Sequence, residues 1–202
     1  MPETWTIAQA ALIVEKPVAV LQKVVERAPV RPKMVERGGR RIRAFDLHDL
    51  VFLQALDTLK RDLTPLKQAE VYEALAHLPP ESPLRDVEAG DLRYDFGPYL
   101  RSIRSRIDET NRLLALIDAS GREPVVKGTS IEAYRLAALF DGMSLGEILR
   151  DYPSLTEEQF RAAKAYADSH PKPGRPYPTV TAKKALRNAR AADDEAFLPS
   201  RG

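Results

Sequence analysis

The sequence predicts a mainly α-helical chain: helices around one β-hairpin in the amino-terminal half, a three-helix module further on, and a tail. Three observations predict it. Apolar residues recur at helical spacing in most segments between residues 4 and 168, and several of these segments open on a Ser, Thr or Asp cap or an early proline. One stretch, RPKMVERGGRRIRAF, breaks that period with two short extended runs about Gly38-Gly39. After Ala167 the periodicity fades and five prolines follow.

The elements follow in order. Thr6 caps a first helix whose apolar residues are Ile7, Ala10, Ala11 and Val14. Pro17 suits the first turn of a second helix, with Val20, Leu21, Val24 and Val25 as its buried stripe. The hairpin comes next. Asp46 caps the helix LHDLVFLQALDTL, which sets Leu47, Leu50, Val51, Leu53 and Leu56 toward the core and His48 toward solvent. Thr64 and Pro65 open another helix to residue 78, and the prolines of LPPESP (78–83) stop it. That stop is the expected domain boundary. DLRYDFG (91–97) reads as a strand, and Pro98 opens a long helix to Asp118 bearing Leu100, Ile103, Ile107, Leu113, Leu114 and Ile117. Such a helix serves as a connector or as a dimer seam.

Beyond it, Pro124 to Lys127 is β-biased and Gly128 permits a turn. The helix EAYRLAALFD buries Tyr134 or Leu136 with Leu139 and Phe140 and ends on Gly142. Ser144 with Glu147, and Thr156 with Gln159, form capping boxes for two more helices. The expected division is 1–78, a linker and connecting helix over 79–119, the three-helix module over 120–169, and a flexible basic arm over 170–202 with a nascent helix at 181–192.

Composition narrows the function classes. With 202 residues, 44% hydrophobic and 30% charged, the chain can bury an adequate core. No apolar run approaches the ~20 residues a membrane helix needs, and Glu3 and Glu15 argue against a signal peptide. The absence of cysteine fits a reducing cytoplasm, the expected compartment. Net charge is only +2, but residues 16–43 hold nine Lys or Arg against Glu26 and Glu36, a local charge of +7 that suits a polyanion. An isolated charge run is ordinarily a solvated face, here with Glu26, Glu36 or Asp46 as counterions.

Helix, turn, helix, hairpin, helix is the order of a winged helix-turn-helix. Thr6-Ile7, Ala10-Ala11, Gly38-Gly39, Arg41, Phe45-Asp46-Leu47 and Asp49-Leu50 resemble the DNA-binding domain of MerR-type regulators over about residues 4–57. The second helix lacks the Arg-Tyr/Trp pair of that pattern. The resemblance implies operator DNA as a partner. On the hairpin, Arg37, Arg40, Arg41 and Arg43 are the candidate phosphate contacts, Arg41 and Arg43 sharing one face. On the second helix, Gln22, Lys23, Glu26 and Arg27 can reach base edges.

In the later module, Pro124-Val125-Val126, Lys127-Gly128-Thr129, Ile131, Gly142-Met143-Ser144, Glu147-Ile148-Leu149 and Asp151-Tyr152-Pro153-Ser154-Leu155-Thr156 carry a second resemblance. Ala162, Ala163, Tyr166 and Ala167 extend it. These residues look like a family of small bacterial predicted antitoxins, VapB-like in role and encoded beside PIN-domain ribonuclease toxins. The resemblance implies a homodimer or higher toxin–antitoxin assembly that inhibits its cognate PIN-domain ribonuclease and represses its own operon. Such ribonucleases hold metal with clustered carboxylates, so the implied toxin-binding residues are the basic and aromatic ones of the tail: Lys172, Arg175, Tyr177, Lys183, Lys184, Arg187, Arg190 and Phe197. A stand-alone MerR-like regulator with a dimerising or sensing second domain, and an interaction scaffold, are the alternatives.

No enzyme motif is present. His48, His77 and His170 lie far apart without metal-ligand spacing, and neither phosphate loop, dinucleotide fingerprint nor nucleophile elbow occurs. Neither a catalytic residue nor a cofactor is expected.

Overall fold

The computed structural model describes residues 3–196 except 38, 80, 173, 175 and 176, with backbone alone for residues 37 and 191–196. It is mainly α-helical with small antiparallel hairpins. The chain divides into two compact units, Met1–Arg112 with Asp168–Pro171, and Leu113–Ala167 with Lys172–Gly202.

The first unit opens with α1 (Ile7–Ile13) and α2 (Val18–Arg27). Thr6 and Gln9 form a reciprocal capping box: the Thr6 hydroxyl accepts the Gln9 N–H at 3.3 Å, and the Gln9 side chain accepts the Thr6 N–H at 2.9 Å. Pro17 sits immediately before α2 as its cap residue. Leu21 and Val25 are buried as the spacing predicts, but Val20 is 47% exposed, so the apolar stripe is narrower than the sequence suggests.

β1 (Lys33–Arg37) and β2 (Arg40–Ala44) pair antiparallel, with Met34 opposite Arg43, Val35 opposite Ile42 and Glu36 opposite Arg41. Gly39 takes a φ of +71°, which a side chain would resist. A further rung joins Trp5 to Phe45, each N–H donating to the other's carbonyl at 2.8 to 2.9 Å. That rung ties the chain just ahead of the α1 cap to the end of the hairpin.

α3 (Leu47–Asp62) starts at the Asp46–Asp49 capping box and is the spine of the unit. Its buried face is wider than a single stripe: Phe52 and Ala55 join Leu50, Val51, Leu53 and Leu56 with almost no exposure. His48 also turns inward, at 5% exposure, contrary to the solvent-facing place its spacing predicts. A helix packed on more than one side has no face left for it.

α4 (Pro65–Ala76) follows Thr64, whose hydroxyl accepts the Lys67 N–H at 3.4 Å. The prolines end this helix but not the unit. Leu84, Val87, Ala89, Phe96, Leu100, Ile103 and Ile107 fill the same core as α1 to α4, so the boundary falls at Leu113 rather than at 78–83. Leu84 is buried with φ at +51°, a conformation that non-glycine residues rarely adopt. β3 (Val87–Ala89) and β4 (Leu92–Tyr94) make a hairpin turned by Gly90 at φ +60°.

α5 (Gly97–Leu114) begins one residue before Pro98 and ends four residues short of Asp118. Its Leu100, Ile103 and Ile107 are spent in the first core. Ile117 belongs instead to β5 (Ile117–Asp118), paired with β6 (Val125–Val126).

The second unit sets β5 and β6 beside α6 (Ala133–Ala138), one turn of 3-10 helix (Leu139–Asp141), α7 (Leu145–Asp151) and α8 (Glu157–Ser169). Its core is Ile117, Val126, Leu136, Leu139, Ile148, Leu155 and Phe160 with small alanines between. Both expected capping boxes form, Ser144 with Glu147 and Thr156 with Gln159. The last described element is α9 (Ala182–Ala196), which takes up the nascent helix expected over 181–192 but is docked rather than part of a loose arm.

Candidate nucleic-acid interface and basic tail

The first question is which of the nine cations between residues 16 and 43 are free to meet a polyanion. Three are committed inside their own unit. Lys16 pairs with Asp57 at 2.6 Å, Arg31 with Glu73 at 3.0 Å, and Lys33 with Asp46 at 3.4 Å. Lys23 and Arg27 are exposed on α2 beside Gln22 and Glu26. Arg40, Arg41 and Arg43 are exposed on β2. Among the described residues none of these three arginines has an ion pair; Asp46, one counterion the sequence offered, is occupied by Lys33. Arg37 stands opposite Arg40 at the tip, and its side chain lies outside the described residues.

The hairpin foot is held by a buried polar cluster. The Tyr72 hydroxyl accepts the Arg31 N–H at 3.0 Å and donates to an Asp49 carboxylate oxygen at 2.7 Å. Asp49 also accepts the Asp46 N–H at 3.0 Å. Burial, then the nearby Asp46 charge, pushes the Asp49 carboxyl up to about 6. Burial of the Tyr72 phenol raises its pKa, beyond any physiological range. Burial also lowers the pKa of His48, keeping the ring neutral. No sequence signal separates Asp49 from an ordinary capping acid, because its second partner lies 23 residues away.

The tail is the larger correction. The Thr181 hydroxyl donates to Asp151 and accepts the Lys184 N–H at 3.1 Å, so it caps α9 and fastens it at once. Arg187 pairs with the other Asp151 oxygen at 3.1 Å, and Lys183 donates to the Asp151 carbonyl at 3.0 Å. Lys184 reaches the Gly142 carbonyl at 3.1 Å and Glu147 at 2.9 Å. The Lys184 bond, with those of Ser144, holds the Glu147 carboxyl down at about 2. Thr181 and Arg187 hold Asp151 below the usual carboxylate range.

Gly142 explains itself here. Its φ is −137°, so it supplies no left-handed cap; instead a Cβ would stand 2.6 Å from the Thr179 carbonyl oxygen. The returning chain needs that space.

Lys172 is engaged as well. Its ammonium bonds both Glu123 oxygens at 2.6 and 2.7 Å and lies 5.5 Å from the Tyr134 ring centre and 5.9 Å from that of Tyr177. Tyr177 stacks on Tyr134 at 6.5 Å. Thus Lys172, Tyr177, Lys183, Lys184 and Arg187 are bound within their own unit. Arg190 is exposed on α9 with Leu186, which is 55% exposed. Arg175 and Phe197 lie outside the described residues.

Comparison with known proteins bears on the second unit. Residues 118–167 match a family described as a protein of unknown function (DUF433). The match covers about a quarter of the chain and runs from β5 through most of α8. An uncharacterized protein, y4eO, of Sinorhizobium fredii is 34% identical over 89 residues, 42% of this chain and 40% of that protein. The chain therefore spans about two fifths of that relative's length. No solved structure matches. Among the described residues no helix is long and apolar enough to cross a membrane.

Proposed function

We propose that the protein is a DNA-binding antitoxin that represses its own operon and neutralises a PIN-domain ribonuclease. The observation that carries the DNA half is the hairpin: Arg40, Arg41 and Arg43 are exposed, without ion pairs among the described residues, and mounted on a foot braced by Tyr72 and Asp49. Cations that have already paired at home gain little from a phosphate, whereas unpaired ones release its counterions in full. On this reading α2 offers Gln22, Lys23 and Arg27 to a groove while the hairpin grips the backbone beside it. A homodimer would place two such readers on the two halves of an operator.

The toxin half is supported by the antitoxin-like residues of the second unit and by the chemistry of its tail. Glu123, Glu147 and Asp151 already hold Lys172, Lys184 and Arg187, as metal-binding carboxylates of a ribonuclease would. Among the described tail residues Arg190 is exposed on α9, whereas Lys172, Lys184 and Arg187 would each exchange a carboxylate of their own unit for one of the toxin's, an exchange eased because they are already ordered. Coexpression tests it: the full chain should relieve growth arrest by a PIN-domain ribonuclease encoded beside it and co-purify with that enzyme. Deleting residues 170–202 should abolish both effects; unchanged relief would remove the tail from the mechanism.

A further inference from the structure

The first unit contains a cavity of about 660 Å³ that the DNA reading leaves unused. It lies at the hairpin foot, between Lys33, the start of α3, the end of α4 and one face of α5. Its size falls within the roughly 300–1,000 Å³ of small-molecule sites. Apolar walls come from Trp5, Leu47, Leu78 and Ile107.

Two features of the lining set the chemistry. His48 is 5% exposed, and its Nε2 has no hydrogen-bond partner among the described residues. A buried polar atom in that state carries an unrecovered desolvation cost, which a bound hydrogen-bonding group can recover. The charged lining is acidic in excess: Glu3, Glu81 and Asp108 stand with Arg104, while Lys33 and Asp46 offset one another. An anion entering such a site meets repulsion without a surplus cation to offset it.

We infer that this cavity binds a small heteroaromatic molecule that carries no negative charge, its ring among Trp5, Leu47 and Ile107 and one polar edge toward His48. Trp5 supplies a broad aromatic face suited to offset or edge-on ring contact. The neutral His48 ring offers one hydrogen bond, as donor or acceptor according to its tautomer. Occupancy does not require DNA.

Trp5 is the single tryptophan, so its indole N–H gives one resonance in a proton–nitrogen spectrum of the labelled full chain. Indole, tryptamine and indole-3-acetate, all unlabelled, are titrated as neutral, cationic and anionic probes. Indole and tryptamine should shift that resonance saturably, and indole-3-acetate should bind at least tenfold more weakly. His48→Leu should weaken indole at least fivefold without lowering the thermal midpoint, since the replaced nitrogen has no partner to lose. Ala76→Phe, at an exposed position on the cavity wall and with Trp5 still the single tryptophan, should abolish binding in a folded chain and keeps the test decisive if His48→Leu does not fold. No shift with any probe, indole-3-acetate binding as tightly as indole, or indifference to both substitutions would overturn the site.

Discussion

The Tyr72 hydroxyl stands 2.7 Å from the Asp49 carboxylate and 3.0 Å from the Arg31 amide nitrogen, so one phenol joins α4, the start of α3 and the entry to the hairpin. The exposed arginines of β2 are only as well placed as that foot. Its energetics follow from the raised carboxyl of Asp49.

Asp49 titrates near 6 in the folded chain against an ordinary value of 3.8, raised mainly by burial. A group whose folded pKa is raised contributes its stability fully below about pH 4 and loses it as pH rises through about 6. The difference between 3.8 and about 6 corresponds to roughly 3 kcal/mol at neutral pH, partly offset in Asp49→Asn because the amide NH2 cannot accept the Asp46 N–H, a loss of about 1–3 kcal/mol. Asp49→Asn should therefore gain about 1 kcal/mol at pH 7 and flatten the decline between pH 4 and 6. Urea unfolding across that range checks it. A loss of stability at pH 7 would show that the charge is needed.

Gly142→Ala should destabilise the second unit by about 1–3 kcal/mol, the usual cost of forcing atoms into a filled site. The new methyl would meet the Thr179 carbonyl at 2.6 Å. Gly146→Ala is the control: nothing lies within 4 Å, the site is in α7, and a gain of about 0.4–1 kcal/mol is expected. Thermal unfolding of the two variants should move in opposite directions.

Glu147, held at about 2 by Lys184 and Ser144, reports on the docking of α9. A group with a depressed folded pKa contributes stability above its ordinary value, here 4.5, and loses it as pH falls toward 2. Amide exchange over residues 182–190, taken relative to its intrinsic rate at each pH, should accelerate across that window. Glu147→Gln should make exchange faster at pH 7 and less sensitive to the same acidification, with Asp151 supplying the sensitivity that remains. Thr181→Ala, which removes both the cap and the Asp151 bond, should accelerate it most.

What the sequence made legible was local. Thr6, Asp46, Thr64, Ser144 and Thr156 each precede a helix and each forms its cap, because a capping hydroxyl or carboxylate needs only a backbone N–H two or three residues on. The Gly38-Gly39 hairpin was equally plain. Long-range choices were not. His48 turns inward because α3 is covered on several sides, which its own spacing cannot reveal. The prolines after α4 end a helix, but Leu84 and Phe96 beyond them return to the same core. The tail has little apolar periodicity and docks through Asp151, Glu147 and Gly142, partners some thirty to forty residues away. On the candidate interface, the shared face of Arg41 and Arg43 could be read from alternation, whereas the exposure of Arg40 beside Arg41 and the loss of Lys16, Arg31 and Lys33 to internal ion pairs could not.

The hairpin is tested most directly by fluorescence anisotropy on a duplex from the chain's own upstream region, across a salt series. Each phosphate contact contributes about 0.9 to the slope of log affinity against log salt. The double variant Arg40→Ala, Arg41→Ala should bind more weakly and lose about 2 from that slope, while Lys16→Ala, paired with Asp57, should leave the slope unchanged. Equal affinity and equal slope for the double variant and the unsubstituted chain would contradict a DNA-gripping hairpin.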